Sequence, residues 1–315
     1  MILITGAGGF IGKGLVAHCK NMGIPYVPLY RSEDVKICKE GWYLDLTNKG
    51  HFDLLNNELE EFPHTIIHLA GSTDIALGKN ENELIDCPQP GKQNIYYTYY
   101  NNILSTINLV SFCQKNNIRH FIFASSQTVY GMPQEDALTE GSRCQPLEHY
   151  AASKLCNEII LEVASRQGLK VTILRFPGVY GEERKSGVVY NFCKSALIDK
   201  KINVVTEFPL PIDVIHIQDV VEAFIKAIHH RGEEFTCLNI STGEPCNLNI
   251  LADSIVELVP GCEVQHGDVS QPIVNMQPSR ANILLGWKAM PRKVRLQEML
   301  NSIRVQSESN FLTKG

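Results

Sequence analysis

Three polar side chains in the middle of the chain have the types and spacing of a proton-transfer site. Tyr150 and Lys154 are four residues apart, so on a helix both project from one face. An ammonium group beside a phenol favours the phenolate, and we therefore expect Lys154 to lower the pKa of Tyr150. Ser126 precedes Tyr150 by 24 residues and offers a hydroxyl that can hydrogen-bond a substrate oxygen. The set predicts acid–base catalysis, although a Tyr-x-x-x-Lys pair alone is also typical of an ordinary helix surface.

Regular elements must position these groups. The apolar run Phe121–Ala124 predicts a buried strand that leads into Ser126. The apolar spacing after Lys154 predicts a helix that begins near His149. Strands and helices alternate along this half of the chain, which predicts an α/β fold with a doubly wound parallel sheet of the Rossmann type.

The first fourteen residues, MILITGAGGFIGKG, predict a strand over Ile2–Thr5, a glycine-rich turn and then a helix with an apolar face. Glycines let the backbone approach a ligand closely, and free N–H groups at a helix N-terminus favour a negative charge. The stretch therefore predicts a pyrophosphate cradle for a dinucleotide. We expect this cradle to consist of Gly6, Gly9, Phe10, Ile11 and Gly12.

The end of the second predicted strand, near Tyr30, bears on the choice of dinucleotide. In this kind of fold an acid there binds the ribose 2′-hydroxyl, whereas Arg with small hydroxyl residues accepts a 2′-phosphate. The chain has Arg31 and Ser32, with no acid before Glu33. This pattern favours NADP(H), leaves NAD(H) possible, and is also compatible with Arg31 as a solvated loop charge. Asp45, in the predicted third strand Trp42–Leu46, is expected at the adenine amino group.

The apolar run that begins at Thr65 predicts a fourth, buried strand ending in small residues where the cofactor would lie. Those residues are Leu69, Ala70 and Gly71. Residues 74–97 then interrupt the alternation with a polar, proline-containing stretch. It is interpreted as a surface excursion, either a lid beside the site or a plain solvated insertion.

Length, composition and net charge argue against several classes of protein. The chain has 315 residues, 44% hydrophobic content, a mean hydropathy of −0.09 and a formal charge of −5. These values predict a globular protein of one large or two intimate domains and argue against nucleic-acid or anionic-membrane partners. Neither a membrane span nor a signal peptide is expected, so a cytoplasmic location is predicted. Ten scattered cysteines without a C-x-x-C pair predict reduced thiols and no metal site.

The chain resembles the extended short-chain dehydrogenase/reductases, the NAD(P)-dependent nucleotide-sugar epimerase, dehydratase and reductase family. Its motifs cover nearly the whole chain in order. They are TGAGGFIG near the start, Asp45-Leu46, HLAG at 68–71, NNILSTINLV at 101–110, SSQTVYG at 125–131, YAASK at 150–154, RFPGVYG at 175–181, DVIHIQDV at 213–220, NISTGEP at 239–245 and LGW at 285–287.

The resemblance implies roles for individual residues. Tyr150 would be the acid/base and also a cofactor-binding residue. Lys154 would be its modulator and a ligand of the nicotinamide ribose, and Ser126 the hydrogen-bond partner of the substrate carbonyl. Arg175 would line the nicotinamide end. The remaining cofactor-binding residues implied in this way are Leu46, Asn102, Phe176 and Pro177.

Departures from the family pattern narrow the function. Gln127 and Thr128 stand where the 4,6-dehydratases carry an Asp-Glu pair, so dehydration is not expected. Ile212 stands where many members have an Arg that grips the substrate diphosphate, and Gly178 replaces a usual Asn. The cofactor half of the resemblance is therefore firmer than the substrate half.

The predicted function is NADP-dependent reduction of a keto group on a nucleotide-activated deoxysugar. The alternatives are an epimerase with tightly bound NAD, a reductase of a non-nucleotide carbonyl substrate, and a non-catalytic dinucleotide sensor. Residues 1–181 with 213–238 are expected to form the dinucleotide-binding domain, 182–212 with 239–305 the smaller C-terminal substrate lobe, and 306–315 a tail. The helices that begin near Asn102 and Tyr150 resemble the pair through which family members dimerise as a four-helix bundle, so the resemblance implies a homodimer.

Overall fold

The computed structural model describes residues 1–72, 95–205, 211–230, 232–267 and 271–312. The chain divides into two compact units. The first comprises Met1–Gly131, Cys144–Arg175 and Phe224–Leu238. The second comprises Met132–Arg143, Phe176–Ala223 and Asn239–Gly315.

The elements alternate between strand and helix. Up to residue 130 they are β1 (Ile2–Thr5), α1 (Phe10–Met22), β2 (Tyr26–Tyr30), β3 (Lys36–Cys38), β4 (Gly41–Tyr43), α2 (Lys49–Glu58), β5 (Thr65–His68), α3 (Ile95–Tyr99), a π-helical turn (Tyr100–Leu104), α4 (Ser105–Lys115), β6 (His120–Ser126) and a 3-10 turn (Gln127–Tyr130). The remainder are α5 (His149–Ser165), β7 (Lys170–Phe176), β8 (Gly178–Tyr180), α6 (Val188–Ile198), β9 (Lys201–Asn203), β10 (Val214–His216), α7 (Ile217–His229), β11 (Phe235–Asn239), α8 (Leu248–Val256), β12 (Glu263–Gln265), α9 (Ser279–Leu285) and α10 (Arg292–Leu312).

An eight-stranded sheet has the order β11-β7-β6-β5-β1-β2-β4-β3. Strand β1 pairs in parallel with β2 on one side and with β5 on the other, and β5 pairs in parallel with β6. After β1 the chain adds strands on one side of it, and from β5 onward it adds them on the other side. Ligands bind doubly wound sheets at such a switch point. The predicted Rossmann-type α/β fold is confirmed.

The strands beside the switch point lie in the core. Every residue of β1, β5 and β6 is buried, because helices cover both faces of a parallel sheet. These strands are accordingly near-continuous apolar runs, interrupted by polar residues such as Thr5 and His68. Those polar residues need internal hydrogen-bond partners, and they have them at the candidate site.

Several element boundaries differ from the sequence predictions. The third predicted strand ends at Tyr43, and the antiparallel strand β3 beside it was not predicted. Strand β6 extends from His120 to Ser126, so Ser126 is the last residue of the strand. Of the predicted excursion 74–97, residues 74–94 lie outside the described residues, whereas the chain is already helical from Ile95.

The second unit has its own apolar core, formed mainly by α6, α8 and α10. Its described strands form two short parallel pairs, β8 with β10 and β9 with β12. The first turn of α10 is anchored by Arg295, whose guanidinium donates to Asp219 at 2.8 Å and 3.0 Å. Asp219 is buried on α7 and also accepts the backbone N–H of Met290.

The described residues also bear on membrane insertion and on the state of the cysteines. Among them, no helix combines the length and the apolar composition that crossing a membrane requires. The nine described cysteines are all free thiols, and most of them are buried. Burial raises the pKa of Cys193 to about 12, so this thiol stays protonated at neutral pH.

Candidate active site

The glycine-rich turn after β1 requires glycine for steric reasons. Gly6 has a left-handed φ of +66°, and a Cβ there would lie 2.8 Å from the Ala70 nitrogen. At Gly12 a Cβ would lie 2.2 Å from the Gly6 carbonyl oxygen. The turn therefore packs against both its own helix and the segment after β5, which places Gly6 beside the predicted cofactor residue Ala70.

The N-terminus of α1 is suited to an anion. Gly9 is the N-cap residue, no side chain caps this end, and the first turn carries no acidic residue. Backbone N–H groups with the helix dipole at such an end attract phosphate. Phe10 and Ile11 form the first turn and are half-buried. The backbone cradle suits the pyrophosphate of a dinucleotide, and the binding of one at this turn remains a prediction.

A buried hydrogen-bond chain holds the ends of β1 and β5 together. The Thr5 hydroxyl accepts the backbone N–H groups of Leu69 and Ala70, at 3.1 and 3.2 Å, and bonds His68 Nδ1 at 2.8 Å. Thr106 Oγ1 lies 3.2 Å from His68 Nε2. Burial, with the nearby Lys154 charge, lowers the pKa of His68 to about 3, so its ring is neutral and positions the Leu69–Gly71 segment.

Asn102 lies in the π-helical turn and joins three parts of the site. Its side chain accepts the Ser72 N–H at 2.7 Å, donates to the Ser72 carbonyl and donates to the Ser153 hydroxyl at 2.9 Å. The Asn102 carbonyl accepts the Thr106 hydroxyl, and a Cβ on Gly71 would lie 3.1 Å from Asn102 Oδ1. These bonds engage the Asn102 amide, so it is placed to position the segment after β5.

The three residues predicted to do chemistry are brought together in the first unit. Ser126 ends β6, and Tyr150 and Lys154 lie in the first two turns of α5. The Tyr150 side chain is hydrogen-bonded to Ser126, and Lys154 Nζ lies 5.6 Å from the centre of the Tyr150 ring. Lys154 is buried and donates to the Ala124 carbonyl at 2.8 Å. Lys154 Nζ would also lie 3.6 Å from a Cβ on Gly71.

The electrostatics of Tyr150 differ from the sequence prediction. Burial raises the pKa of Tyr150, the charge of Glu148 raises it further, and the hydrogen bond to Ser126 lowers it by less. Burial also lowers the pKa of Lys154 to about 8, against an opposing effect of Glu158. The expected lowering of the Tyr150 pKa is therefore wrong for the protein's own groups, because burial and the charge of Glu148 outweigh the hydrogen bond to Ser126.

Glu148 is a site residue that sequence reasoning missed. It is the N-cap residue of α5, two residues before Tyr150, and no capping hydrogen bond to its side chain forms. Its Oε1 is buried without a hydrogen-bond partner in the described part of the chain, and burial raises its pKa. Its charge acts on Tyr150, and only its place two residues before the YAASK motif hinted at this.

Arg31 lies at the end of β2, as predicted, but it has a partner that the sequence did not indicate. Its Nη1 donates to the hydroxyl of Tyr97 at 2.6 Å, and its guanidinium carbon lies 5.8 Å from the centre of that ring. Ser32 accepts the backbone N–H of Asp34 at 3.2 Å. The guanidinium is exposed, so its remaining donors can reach a ligand.

The segment Asp45–Leu46 is held in place by hydrogen bonds to its backbone. The Asp45 N–H donates to His51 Nδ1 at 3.0 Å, and Asn108 donates to the Leu46 carbonyl at 2.9 Å. One carboxylate oxygen of Asp45 accepts both the N–H and the hydroxyl of Thr47 at 2.8 Å. The contact of Asp45 and Leu46 with adenine remains a prediction.

Phe176 and Pro177 belong to the second unit and are both buried. Their contact with the nicotinamide remains a prediction.

In the 3-10 turn, the Thr128 hydroxyl donates to Ser126 Oγ at 3.0 Å, and the Thr128 N–H donates to the same oxygen at 3.2 Å. Thr128 therefore orients Ser126, although it cannot act as the carboxylate of a dehydratase.

The second unit buries a cation that sequence reasoning missed. Arg292 Nη2 lies 3.6 Å from Asp213 Oδ1, and Arg292 also donates to the carbonyls of Glu244 and Pro245. Burial raises the pKa of Asp213 to about 7 despite the Arg292 charge. Asp213 directly follows Ile212, the position that lacks the family's diphosphate-binding Arg.

The comparison with known proteins identifies the family. The NAD dependent epimerase/dehydratase family matches residues 2–241. The chain belongs to this family. The predictions of an extended short-chain dehydrogenase/reductase and of an NAD(P)-dependent enzyme are confirmed.

Relatives of the chain within the family have different activities. It is 28% identical to dTDP-4-dehydro-6-deoxyglucose reductase of Escherichia coli, and the match covers 81% of this chain and 80% of the relative. It is 27% identical to UDP-glucose 4-epimerase of Caenorhabditis elegans, and the match covers 91% of this chain and 93% of the relative. The fold is similar to that of MoeE5 in complex with UDP-glucose and NAD. The two structures match with a TM-score of 0.72 and 24% sequence identity, over 97% of this chain and 99% of MoeE5.

Proposed function

We propose that this enzyme is an NADP(H)-dependent reductase of a keto group on a nucleotide-activated sugar. The observation that carries the proposal is the convergence of Ser126, Tyr150 and Lys154 next to the segment that packs on the glycine-rich turn. Reduction needs one proton donor at the carbonyl oxygen and no further acid or base at carbon. The neutral residues Gln127 and Thr128, in place of a carboxylate pair, suit this simpler chemistry.

The proposed mechanism assigns one task to each hydroxyl. Ser126 and Tyr150 hydrogen-bond the substrate carbonyl oxygen and orient it. A reduced nicotinamide, when bound, supplies the hydride. Tyr150 transfers its phenolic proton to the carbonyl oxygen as that oxygen becomes an alkoxide, which leaves an alcohol and a phenolate. Protonated Lys154 stabilises the phenolate, and a neutral phenol at rest is what burial and Glu148 favour.

The second candidate is an NAD-dependent epimerase that keeps its cofactor and returns the hydride to the opposite face of the sugar. The similarity to UDP-glucose 4-epimerase over nearly the full chain favours it. The two functions differ in net redox change, because a reductase consumes one reduced cofactor per turnover and an epimerase consumes none. A substrate without a nucleotide, suggested by Ile212, is the remaining variant of the reductase.

Native mass spectrometry of the purified protein, followed by NADPH and NADH titration, tests the proposal. An empty protein that binds NADPH more tightly and oxidises it with a 4-keto sugar nucleotide is the expected result. A tightly co-purifying NAD, with no net oxidation of added NADPH, would instead establish the epimerase. Binding of neither dinucleotide would overturn both.

Replacing Arg31 by Ala tests the proposed cofactor preference. A guanidinium that binds a 2′-phosphate makes charge-assisted hydrogen bonds worth about 1.5–3 kcal/mol. We therefore expect NADPH affinity to fall roughly 10- to 100-fold while NADH affinity hardly changes. Lys20, an exposed cation in the last turn of α1, provides the matched control as Lys20→Ala. Equal weakening of both dinucleotides by Arg31→Ala would contradict the assignment.

We propose that the enzyme is a homodimer. Apolar side chains on the helical layer of the first unit are exposed: Tyr96, Tyr100, Ile107, Ile159 and Val163. Tyr96 is 61% and Ile159 56% accessible, which is costly in water unless a partner covers them. The same native mass spectra distinguish a dimer from the 35.3 kDa monomer.

A further inference from the structure

A buried ion pair links helix α5, which carries Tyr150 and Lys154, to strand β7. Glu158 and Arg175 have side chains only 5% and 8% exposed, and Arg175 Nη2 lies 2.5 Å from Glu158 Oε2. Arg175 Nε also donates to both carboxylate oxygens, at 3.0 and 3.2 Å. The contact is therefore a charge-assisted pair of fixed geometry.

The pair connects four elements of the first unit. Glu158 lies on α5, one turn after Lys154, and Arg175 lies on β7. Ser125, at the end of β6, donates its hydroxyl to Glu158 Oε1. Tyr130, at the end of the 3-10 turn, accepts Arg175 Nη1 at 3.0 Å, and the guanidinium lies 4.9 Å from the centre of its ring. A shift of α5 along β6 would break several of these bonds at once.

Glu158 also affects the charge of Lys154. Burial lowers the pKa of Lys154, whereas the negative charge of Glu158 raises it. Other groups that face Lys154 are the Ala124 carbonyl, the Phe123 ring at 4.8 Å, the neutral ring of His68 and the phenol of Tyr150. None of these groups is a carboxylate, so Glu158 provides the negative charge that offsets the Lys154 ammonium.

We propose that Glu158 and Arg175 are positioning residues of the site: the pair holds Tyr150 and Lys154 in register with Ser126, and the Glu158 carboxylate, one helical turn after Lys154, is the counter-charge of its ammonium. This inference rests on the proposed function for the use of the site. A buried ion pair is weak evidence for stability as such, because apolar residues of similar size often replace it without loss. The pair is instead explained by its bonds to the site: Glu158 lies on the helix that carries Tyr150 and Lys154, and it accepts the hydroxyl of Ser125, next to Ser126.

The test measures the titration of Lys154 without cofactor or substrate. Competitive acetylation with acetic anhydride, read by peptide mass spectrometry across pH, reports the protonation of individual lysines. Glu158→Gln leaves a buried, uncompensated Arg175 and is therefore paired with a double variant, Glu158→Gln with Arg175→Met. Glu162, which forms an exposed pair with Arg166 on the same helix, provides the matched control as Glu162→Gln.

The expected result is that Lys154 loses its proton at lower pH in both Glu158 variants than in the wild type and in Glu162→Gln. The alkaline limb of kcat/KM moves to lower pH in the same two variants. A folded double variant with the wild-type Lys154 titration would overturn the inference, since the pair would then only pack. Failure of the proposed function is seen separately, as absent NADPH binding by the wild type.

Discussion

Tyr150→Phe lowers kcat/KM by about 10²–10⁴-fold and leaves NADPH binding nearly unchanged. The phenol is the proposed proton donor, and general acid catalysis of this kind contributes an effect of that size. Such a loss corresponds to roughly 3–5 kcal/mol of transition-state stabilisation. Binding survives because phenylalanine keeps the ring and removes only the hydroxyl that bonds Ser126.

The control for Tyr150→Phe is a second tyrosine on a neighbouring helix. The Tyr99 hydroxyl lies 3.1 Å from His149 Nδ1, outside the proposed proton path. Tyr99→Phe should therefore retain activity and thermal stability close to those of the wild type. Steady-state kinetics of both variants, with NADPH titration by fluorescence, provide the comparison. Wild-type activity in the Tyr150→Phe variant would remove Tyr150 from the proposed mechanism.

Gly12→Ala abolishes measurable dinucleotide binding. An added Cβ would lie 2.2 Å from the Gly6 carbonyl oxygen and 2.7 Å from the Ala7 Cα, distances that real contacts do not reach. In an open helix position the same change stabilises by about 1 kcal/mol, because alanine has the higher helix propensity. Here the backbone of the turn must move, and we expect a net destabilisation of about 1–3 kcal/mol. The sign of the stability change therefore distinguishes the two cases.

Gly8 provides a matched control within the same turn. A Cβ at Gly8 would lie 3.7 Å from the nearest atom of Tyr30, an ordinary van der Waals distance. Gly8→Ala should therefore keep the melting temperature of the wild type. Calorimetry with and without NADPH measures the stability and the ligand-induced shift of each variant. A Gly12→Ala protein that is stabilised and still binds NADPH would contradict the proposed cradle.

Local patterns in the sequence determined the fold class and were enough to select the candidate site residues. The spacing of Gly6, Gly9 and Gly12 after an apolar strand depends only on backbone geometry, which a short segment specifies by itself. The four-residue spacing of Tyr150 and Lys154 likewise follows from the helical period. The alternation of strands and helices was enough to predict the parallel sheet, with errors at strand ends and at the edge strand β3.

The tertiary structure decided the electrostatics of the site and the partners of its charged groups. Ser125 and Glu158 are 33 residues apart, Arg31 and Tyr97 are 66 apart, and no local pattern relates them. The pKa of Tyr150 rises mainly because its side chain is desolvated, and burial is a property of the packed chain. Sequence spacing determines which groups share an element, whereas packing determines which charges they meet and how much water surrounds them.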